Sequence, residues 1–185
     1  MQITETDEHF MRHALDQAQL ALDGGEFPVG CVLVRNSTII QSGRRRNSEG
    51  AGGNEIDHAE MVTLRALLAE YPATDCRNIT VYSTMEPCLM CYTTLLLSGV
   101  RRIVWAYEDV MGGGTSLPFK QLAPLYQDMQ AEVELVPDVL RWESLRLFGE
   151  FFQKYSYWQD SLLADYTLTQ YQTQYQDGIK INEMI

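Results

Sequence analysis

Apolar residues return every four positions at Phe10, Ala14, Ala18 and Leu22, with Met11 and Leu15 beside them, between the polar pair Thr6-Asp7 and the pair Gly24-Gly25. That period lines one face of a helix, with Thr6 or Asp7 as its cap and the glycines as its stop. The pattern then shortens. Residues 29–34 and 38–42 are β-rich runs flanking Arg35-Asn36-Ser37, which predicts an antiparallel hairpin. Residues 43–57 are polar, carry Gly50, Gly52 and Gly53, and read as a loop. Helical spacing resumes over 58–70 through Val62, Ala66, Leu67 and Ala69.

Further along, 79–84 reads as a third strand, and 88–98 as a helix opened by Pro87 at its first position and stopped at Gly99. A fourth strand is expected over 102–107, a mobile loop over 109–116 where three glycines stand in a row, a helical crossover over 117–130 and a fifth strand over 133–136. A crossover of that length makes strands four and five parallel. The last helix, 139–154, carries Leu140, Leu147, Phe148, Phe151 and Phe152 on its apolar side. This alternation predicts an α/β protein, a three-layer α/β/α domain over residues 1–155 around a five-stranded mixed sheet. Residues 156–185 form an acidic tail rich in tyrosine and glutamine, either packed on the body or serving as an arm for a partner. No internal repeat is visible.

A length of 185 residues with 45% apolar content suits one domain with a full core and excludes global disorder. No window approaches the roughly eighteen consecutive apolar residues of a membrane span, and residues 1–23 are too charged for a signal-peptide core. A soluble, cytoplasmic protein is the expectation. The charge balance changes the picture more: 14 Lys and Arg against 25 Asp and Glu give −11, a surface that repels phosphate backbones on average. The one dense run of cations, Arg44-Arg45-Arg46, is either a local RNA contact or a solvated hairpin end.

Of the four cysteines, Cys88 and Cys91 stand at a C-x-x-C spacing while Cys31 and Cys76 stand alone, which fits a metal site better than a disulfide frame. Cys31, inside an apolar run, reads as a small buried side chain. His9 and His13 lie one helical turn apart, but no third ligand accompanies them, and they read as a solvated helix face.

The chemistry concentrates in His58-Ala59-Glu60 and Pro87-Cys88-Leu89-Met90-Cys91. A catalytic zinc takes three nitrogen or sulfur ligands and keeps a fourth position for water, and His58, Cys88 and Cys91 supply such a set. Both sulfurs leave one face of a helix at its N-terminal turn, where thiol pKa is lowered. Glu60, in the first turn of its own helix, is left over as a proton carrier. Zinc lowers the pKa of its water toward neutrality, and Glu60 can take that proton and pass it on to a leaving group. The competing arrangement, a closed structural zinc site, needs a fourth ligand from Cys31 or Cys76, and structural zinc prefers two paired knuckles where this chain has one.

His-Ala-Glu together with Glu86-Pro87-Cys88-Leu89-Met90-Cys91 resembles the cytidine deaminase superfamily, within it the branch of bacterial tRNA adenosine deaminases, guanine deaminases and fungal cytosine deaminase. Phe27-Pro28-Val29-Gly30, Asn47, Ala106-Tyr107-Glu108-Asp109 and Phe151-Phe152 extend the likeness over about residues 8 to 154, and it is closest to the tRNA enzymes. The resemblance implies a cytidine deaminase-like fold, one Zn2+ per chain with a catalytic water, a homodimer, and a base pocket built by Phe27, Asn47, Ala59, Glu86, Pro87 and Asp109. In the branch an Asn ahead of the His-Ala-Glu helix hydrogen-bonds the base, as Asn47 would; a plain turn Asn is the other reading. Two departures bear on substrate: Glu55-Ile56-Asp57 stands before His58 where the branch shows a Pro-Thr-Ala-like stretch, and the basic C-terminal helix of a tRNA binder is replaced by the acidic, aromatic tail.

Three functions are therefore open. The first is deamination of a free nucleobase or small nucleoside, purine or cytosine, favoured by net charge and by a tail whose Tyr155, Tyr157 and Trp158 could cap a small pocket. The second is a tRNA adenosine deaminase acting on a flipped wobble base, favoured by the overall likeness and by the arginine run next to Asn47. The third, an inactive zinc scaffold, has no use for Glu60. The expectation is the first, because each phosphate contact needs a cation and the surface is short of them.

Overall fold

The computed structural model describes residues 3–48, 53–118, 120 and 123–182, with side chains in the last helix as far as Thr173. Gly50 and Gly52 of the expected loop, part of the expected crossover and the end of the tail lie outside these residues. The first helix, α1 (Glu5–Asp23), begins earlier than Thr6 or Asp7 as cap would have it. Thr4 is the cap, and its hydroxyl accepts the Asp7 N–H at 3.1 Å while the Asp7 carboxylate accepts the Thr4 N–H at 3.2 Å. This reciprocal pair satisfies two of the free donors of the first turn.

The hairpin forms as β1 (Gly30–Arg35) and β2 (Thr38–Arg44), closed by Asn36 and Ser37 with φ of 51° and 57°. Both turn residues are left-handed, which matches the twist of the strands they join. The chain continues through α2 (Ala59–Glu70), β3 (Thr80–Met85), α3 (Leu89–Leu97), β4 (Arg102–Tyr107), α4 (Pro124–Ala131), β5 (Glu134–Val136) and α5 (Arg141–Lys154). Pro87 precedes the cap residue Cys88 instead of opening the helix. α5 starts two residues later than its apolar pattern suggests, because Asp138 and Leu140 take φ of 66° and 55° and break the helical path.

The sheet runs β2-β1-β3-β4-β5. β1 is antiparallel to both β2 and β3, while β3, β4 and β5 are parallel, with Ser83 opposite Trp105 and Val104 opposite Val136. Alternation along the strands feeds two packed layers. Val32, Val34, Tyr82, Val104 and Ala106 meet Phe10, Met11 and Ala14 of α1 on one face. Cys31, Leu33, Val81 and Ile103 join the core that includes Leu64 and Leu67 of α2 and Leu95 and Leu96 of α3. α1 lies so close to β1 that a Cβ on Gly30 would sit 2.1 Å from the Ala14 carbonyl oxygen, so any side chain there would force the helix off the sheet.

The tail folds as well. After turns at 156–161, α6 (Leu162–Asn182) places Leu163 and Ala164 in the core and packs along α5, with the Tyr171 ring against Gly149. Thr167 shares a 2.8 Å hydrogen bond with the buried Tyr107 hydroxyl at the end of β4. Among the described residues, no helix is long and apolar enough to cross a membrane.

One buried charge ties the layers together. Asp7, 1% exposed, accepts from Arg102 Nη1 at 2.7 Å and from the Tyr82 hydroxyl at 3.1 Å, and Arg102 reaches on to Glu134 at 3.0 Å. Burial pushes the Asp7 carboxyl up, but the bonds from Arg102 and Thr4 outweigh it and hold its pKa below the usual carboxylate value. Its stabilisation is therefore complete above the unfolded pKa, near 4, and is lost as pH falls through the folded one. Asp7→Asn is expected to cost about 2–3 kcal/mol at neutral pH, less than a fully buried pair because Arg102 is partly exposed. Denaturant melts at pH 7 and pH 3 check this: the gap to the unsubstituted chain should close in acid.

Candidate active site

α2 and α3 follow β2 and β3, and their N-termini meet beyond the C-terminal ends of the parallel strands, where open α/β sheets collect ligands. His58 is the cap residue of α2 and Cys88 that of α3, both with extended ψ (152° and 168°), and Cys91 sits in the first turn of α3. The result is compact: His58 Nδ1 lies 3.5 Å from both Cys88 Sγ and Cys91 Sγ, and the three ligand atoms fall within 4.8 Å of one another. Zinc bonds of about 2.3 Å to sulfur and 2.0–2.1 Å to nitrogen at a tetrahedral angle put those two atoms about 3.6 Å apart. The residues present therefore fit a zinc ion.

The proton distribution points the same way. The Cys91 hydrogen bond and the neighbouring His58 bring Cys88 down to about 4, while that same bond and burial push Cys91 far up. The two thiols thus share one hydrogen bond, and a cation held between them would favour loss of its proton. Cys31 does not join: it is fully buried in β1, and burial and the Glu60 charge push its thiol up. Cys76 sits in the turn before β3, at the opposite end of that strand from Cys88. No fourth protein ligand for a closed site exists among the described residues.

Glu60 is 3% exposed, in the first turn of α2. Its carboxylate accepts from Ser83 Oγ at 3.1 Å and lies 3.7 Å from Cys91 Sγ. Burial raises its pKa above the usual carboxylate value, which suits a group that must both take and give a proton near neutrality.

These residues floor a cavity of about 110 Å³. Of the expected base-pocket residues, Phe27, Ala59, Glu86 and Asp109 line it. Asn47 and Pro87 are not among its lining residues. Asn47 has φ 58°, and its side-chain amide donates to Asp57 at 2.7 Å. Pro87 offers its carbonyl to the Gly114 N–H at 2.9 Å. The loop expected to be mobile is pinned: Glu86, 9% exposed, accepts from the N–H groups of Asp109 and Thr115 and from the Thr115 hydroxyl. Gly113 and Gly114 run so close to Glu86 and Leu89 that a Cβ would sit 2.6–2.7 Å from their atoms.

The remaining wall holds two of the tail aromatics expected to cap a pocket, together with residues that no motif singles out. Arg45 and Glu55 come from the segment between β2 and α2, Tyr157 and Trp158 from the turn before α6, and Leu163 from α6 itself. Arg45 is 2% exposed, so the middle of the arginine run faces the site; Arg44 is half-buried and Arg46 exposed. An acid three residues ahead of a metal-ligand histidine was the available signal for Glu55, whose Oε2 stands 3.9 Å from His58 Nε2.

Residues 4–107 match the family model described as the cytidine and deoxycytidylate deaminase zinc-binding region. The tRNA-specific adenosine deaminase of Bacillus subtilis is 33% identical over 148 residues, covering 80% of this chain and 89% of the relative. Xenopus laevis tRNA-specific adenosine deaminase 2 is 36% identical over 120 residues, 62% of this chain and 67% of the relative. Among solved structures, one from a study of A-to-I editing by tRNA:A34 deaminases has a TM-score of 0.63 at 24% identity, covering 75% of this chain and 98% of that one. Guanine deaminase from Nitrosomonas europaea has a TM-score of 0.62 at 19% identity, covering 78% and 83%. At these identities the solved structures establish a shared fold. More than half of the chain lies within the family match, which spans His58, Glu60 and both cysteines, and the chain belongs to the family of cytidine and deoxycytidylate deaminase zinc-binding domains.

Proposed function

We propose that this protein is a zinc-dependent hydrolytic deaminase whose substrate is adenosine at the wobble position of a tRNA. The observation that carries the reaction is a buried carboxylate, Glu60, beside three converging zinc-type ligands at the floor of a cavity. The adenosine in tRNA rests on the relatives that span most of the chain, such as those of Bacillus subtilis and Haemophilus influenzae, both 33% identical and both named tRNA-specific adenosine deaminases.

His58, Cys88 and Cys91 would hold the metal, which when bound supplies Lewis acidity and a water of lowered pKa. Glu60 then accepts the proton of the attacking water and delivers it to the ring nitrogen next to the amine-bearing carbon. A second proton passes through the same carboxylate to the departing amine, so that one water is consumed and one ammonia released. Ser83 holds one oxygen of Glu60 in place during both transfers. Phe27 offers an aromatic edge to the cavity and is itself fixed by Phe148, Phe151 and Tyr157 at centroid distances of 5.1–5.6 Å.

A second reading, a free nucleobase or small nucleoside, is favoured by the wall from the tail. Tyr157 and Trp158 stand over the cavity, Arg45 is turned inward away from any phosphate, and the chain carries a net charge of −11.

Elemental analysis of the purified protein is expected to find one zinc per chain, and Cys88→Ala should lose it; equal metal content in the two proteins would remove Cys88 from the ligand set. Glu60→Gln should keep zinc and fold while kcat drops about a hundred- to ten-thousandfold, read by ammonia release. Substrate class is decided by the same assay over an anticodon stem-loop, adenosine, adenine, guanine and cytosine. The stem-loop should be turned over far faster, with an apparent affinity that falls steeply with salt. Faster turnover of a free base, insensitive to salt, would replace the first reading with the second.

A further inference from the structure

Among the described residues Arg45 is the one arginine or lysine in the cavity wall, and its hydrogen bonds leave part of it unused. Nε donates to Ser48 Oγ at 3.3 Å. Nη2 donates to the Asn54 carbonyl at 3.0 Å, to Glu55 Oε2 at 3.0 Å and to the Tyr157 hydroxyl oxygen at 3.2 Å. Nη1 is shielded from solvent and has no partner among the described residues. A guanidinium has five N–H donors and no way to shed its charge, and buried donors without acceptors are rare in folded proteins. Arg45 lines the cavity, and its orphaned donor calls for an acceptor that a ligand bound there can bring.

The surroundings say what kind of acceptor. Glu55 already balances the charge of Arg45, and its other oxygen accepts from the Tyr157 hydroxyl at 2.7 Å. A phosphate brought to Nη1 would meet the carboxylate of Glu55 as well, whereas a neutral in-plane acceptor keeps the bond without that repulsion. In an adenosine whose N1, the ring nitrogen beside the amine-bearing carbon, is served by Glu60, the remaining acceptors of the base are N3 and N7. We propose that Arg45 Nη1 donates to N3 or N7 of a purine in this cavity, with Glu55 and Tyr157 holding the guanidinium in place. This assigns Arg45 to base selection, and it rests on the reading of the cavity as a nucleobase site.

The test is binding, so that it does not depend on turnover. Zinc-loaded Glu60→Gln protein, with and without Arg45→Met, is titrated with adenine and with the stem-loop, each carrying the parent base, its 3-deaza form or its 7-deaza form, in which CH replaces one acceptor. One of the two analogues should bind about ten- to hundredfold more weakly than the parent, the range for a hydrogen bond to a charged group, and Arg45→Met should abolish that difference. Equal binding of all three bases, an analogue penalty that persists in Arg45→Met, or no binding of any purine overturns the proposal. If Arg45→Met does not fold, the Arg45-containing protein decides alone: a penalty for one analogue with the other spared supports the proposal, and equal binding overturns it. Absence of ammonia release by the unsubstituted enzyme would strike the proposed function and leave the binding result standing.

Discussion

Two thiols and an imidazole within 4.8 Å, next to a buried carboxylate, form an arrangement that only a cation completes. The rest of the molecule is what brings them there. β3 and β4 run parallel, so the chain must cross over through α3, and that crossover returns the helix start to the same end of the sheet as α2. Two helix N-termini then face each other, and each presents ligands from its cap or first turn where the free N–H groups favour thiolate and carboxylate. α1, fixed by Asp7 to Arg102 and lying against Gly30, holds β1, β3 and β4 in register beneath them.

The convergence of His58, Cys88 and Cys91 beside Glu60 was legible in the sequence because its geometry is local. An i, i+3 pair and an i, i+2 pair at helix starts fix relative direction without knowledge of the rest of the fold. The strands were legible for a related reason, since β-rich runs bounded by turn residues have few other conformations open to them. What escaped depended on distant partners. Arg45 looks like part of a basic surface run until Glu55 and Tyr157, the latter far along the chain, give it somewhere to be buried. Asn47 keeps the right distance from His58, but its left-handed backbone turns the amide onto Asp57.

The tail shows the same limit from the other side. Among the described side chains of α6, Leu163, Ala164 and Thr167 are buried, with Asp165 and Tyr166 between the last two. Its attachment is polar, through Thr167 to Tyr107 and through Tyr166 and Gln170 to the Glu108–Arg141 pair. Such bonds leave no period for a pattern reading to find, yet they join the tail to the end of β4, two residues before Asp109, which lines the cavity.

That attachment also sets an order of assembly. On a ribosome the chain emerges from its N-terminus, so His58, Glu60, Cys88 and Cys91 are all outside before Tyr157, Trp158 and Leu163 have been made. The corner of His58, Glu60, Cys88 and Cys91 is therefore complete in sequence while one side of the cavity does not yet exist. Synthesis of that corner and closure of the cavity beside it are separated by the rest of α3, β4, α4, β5 and α5.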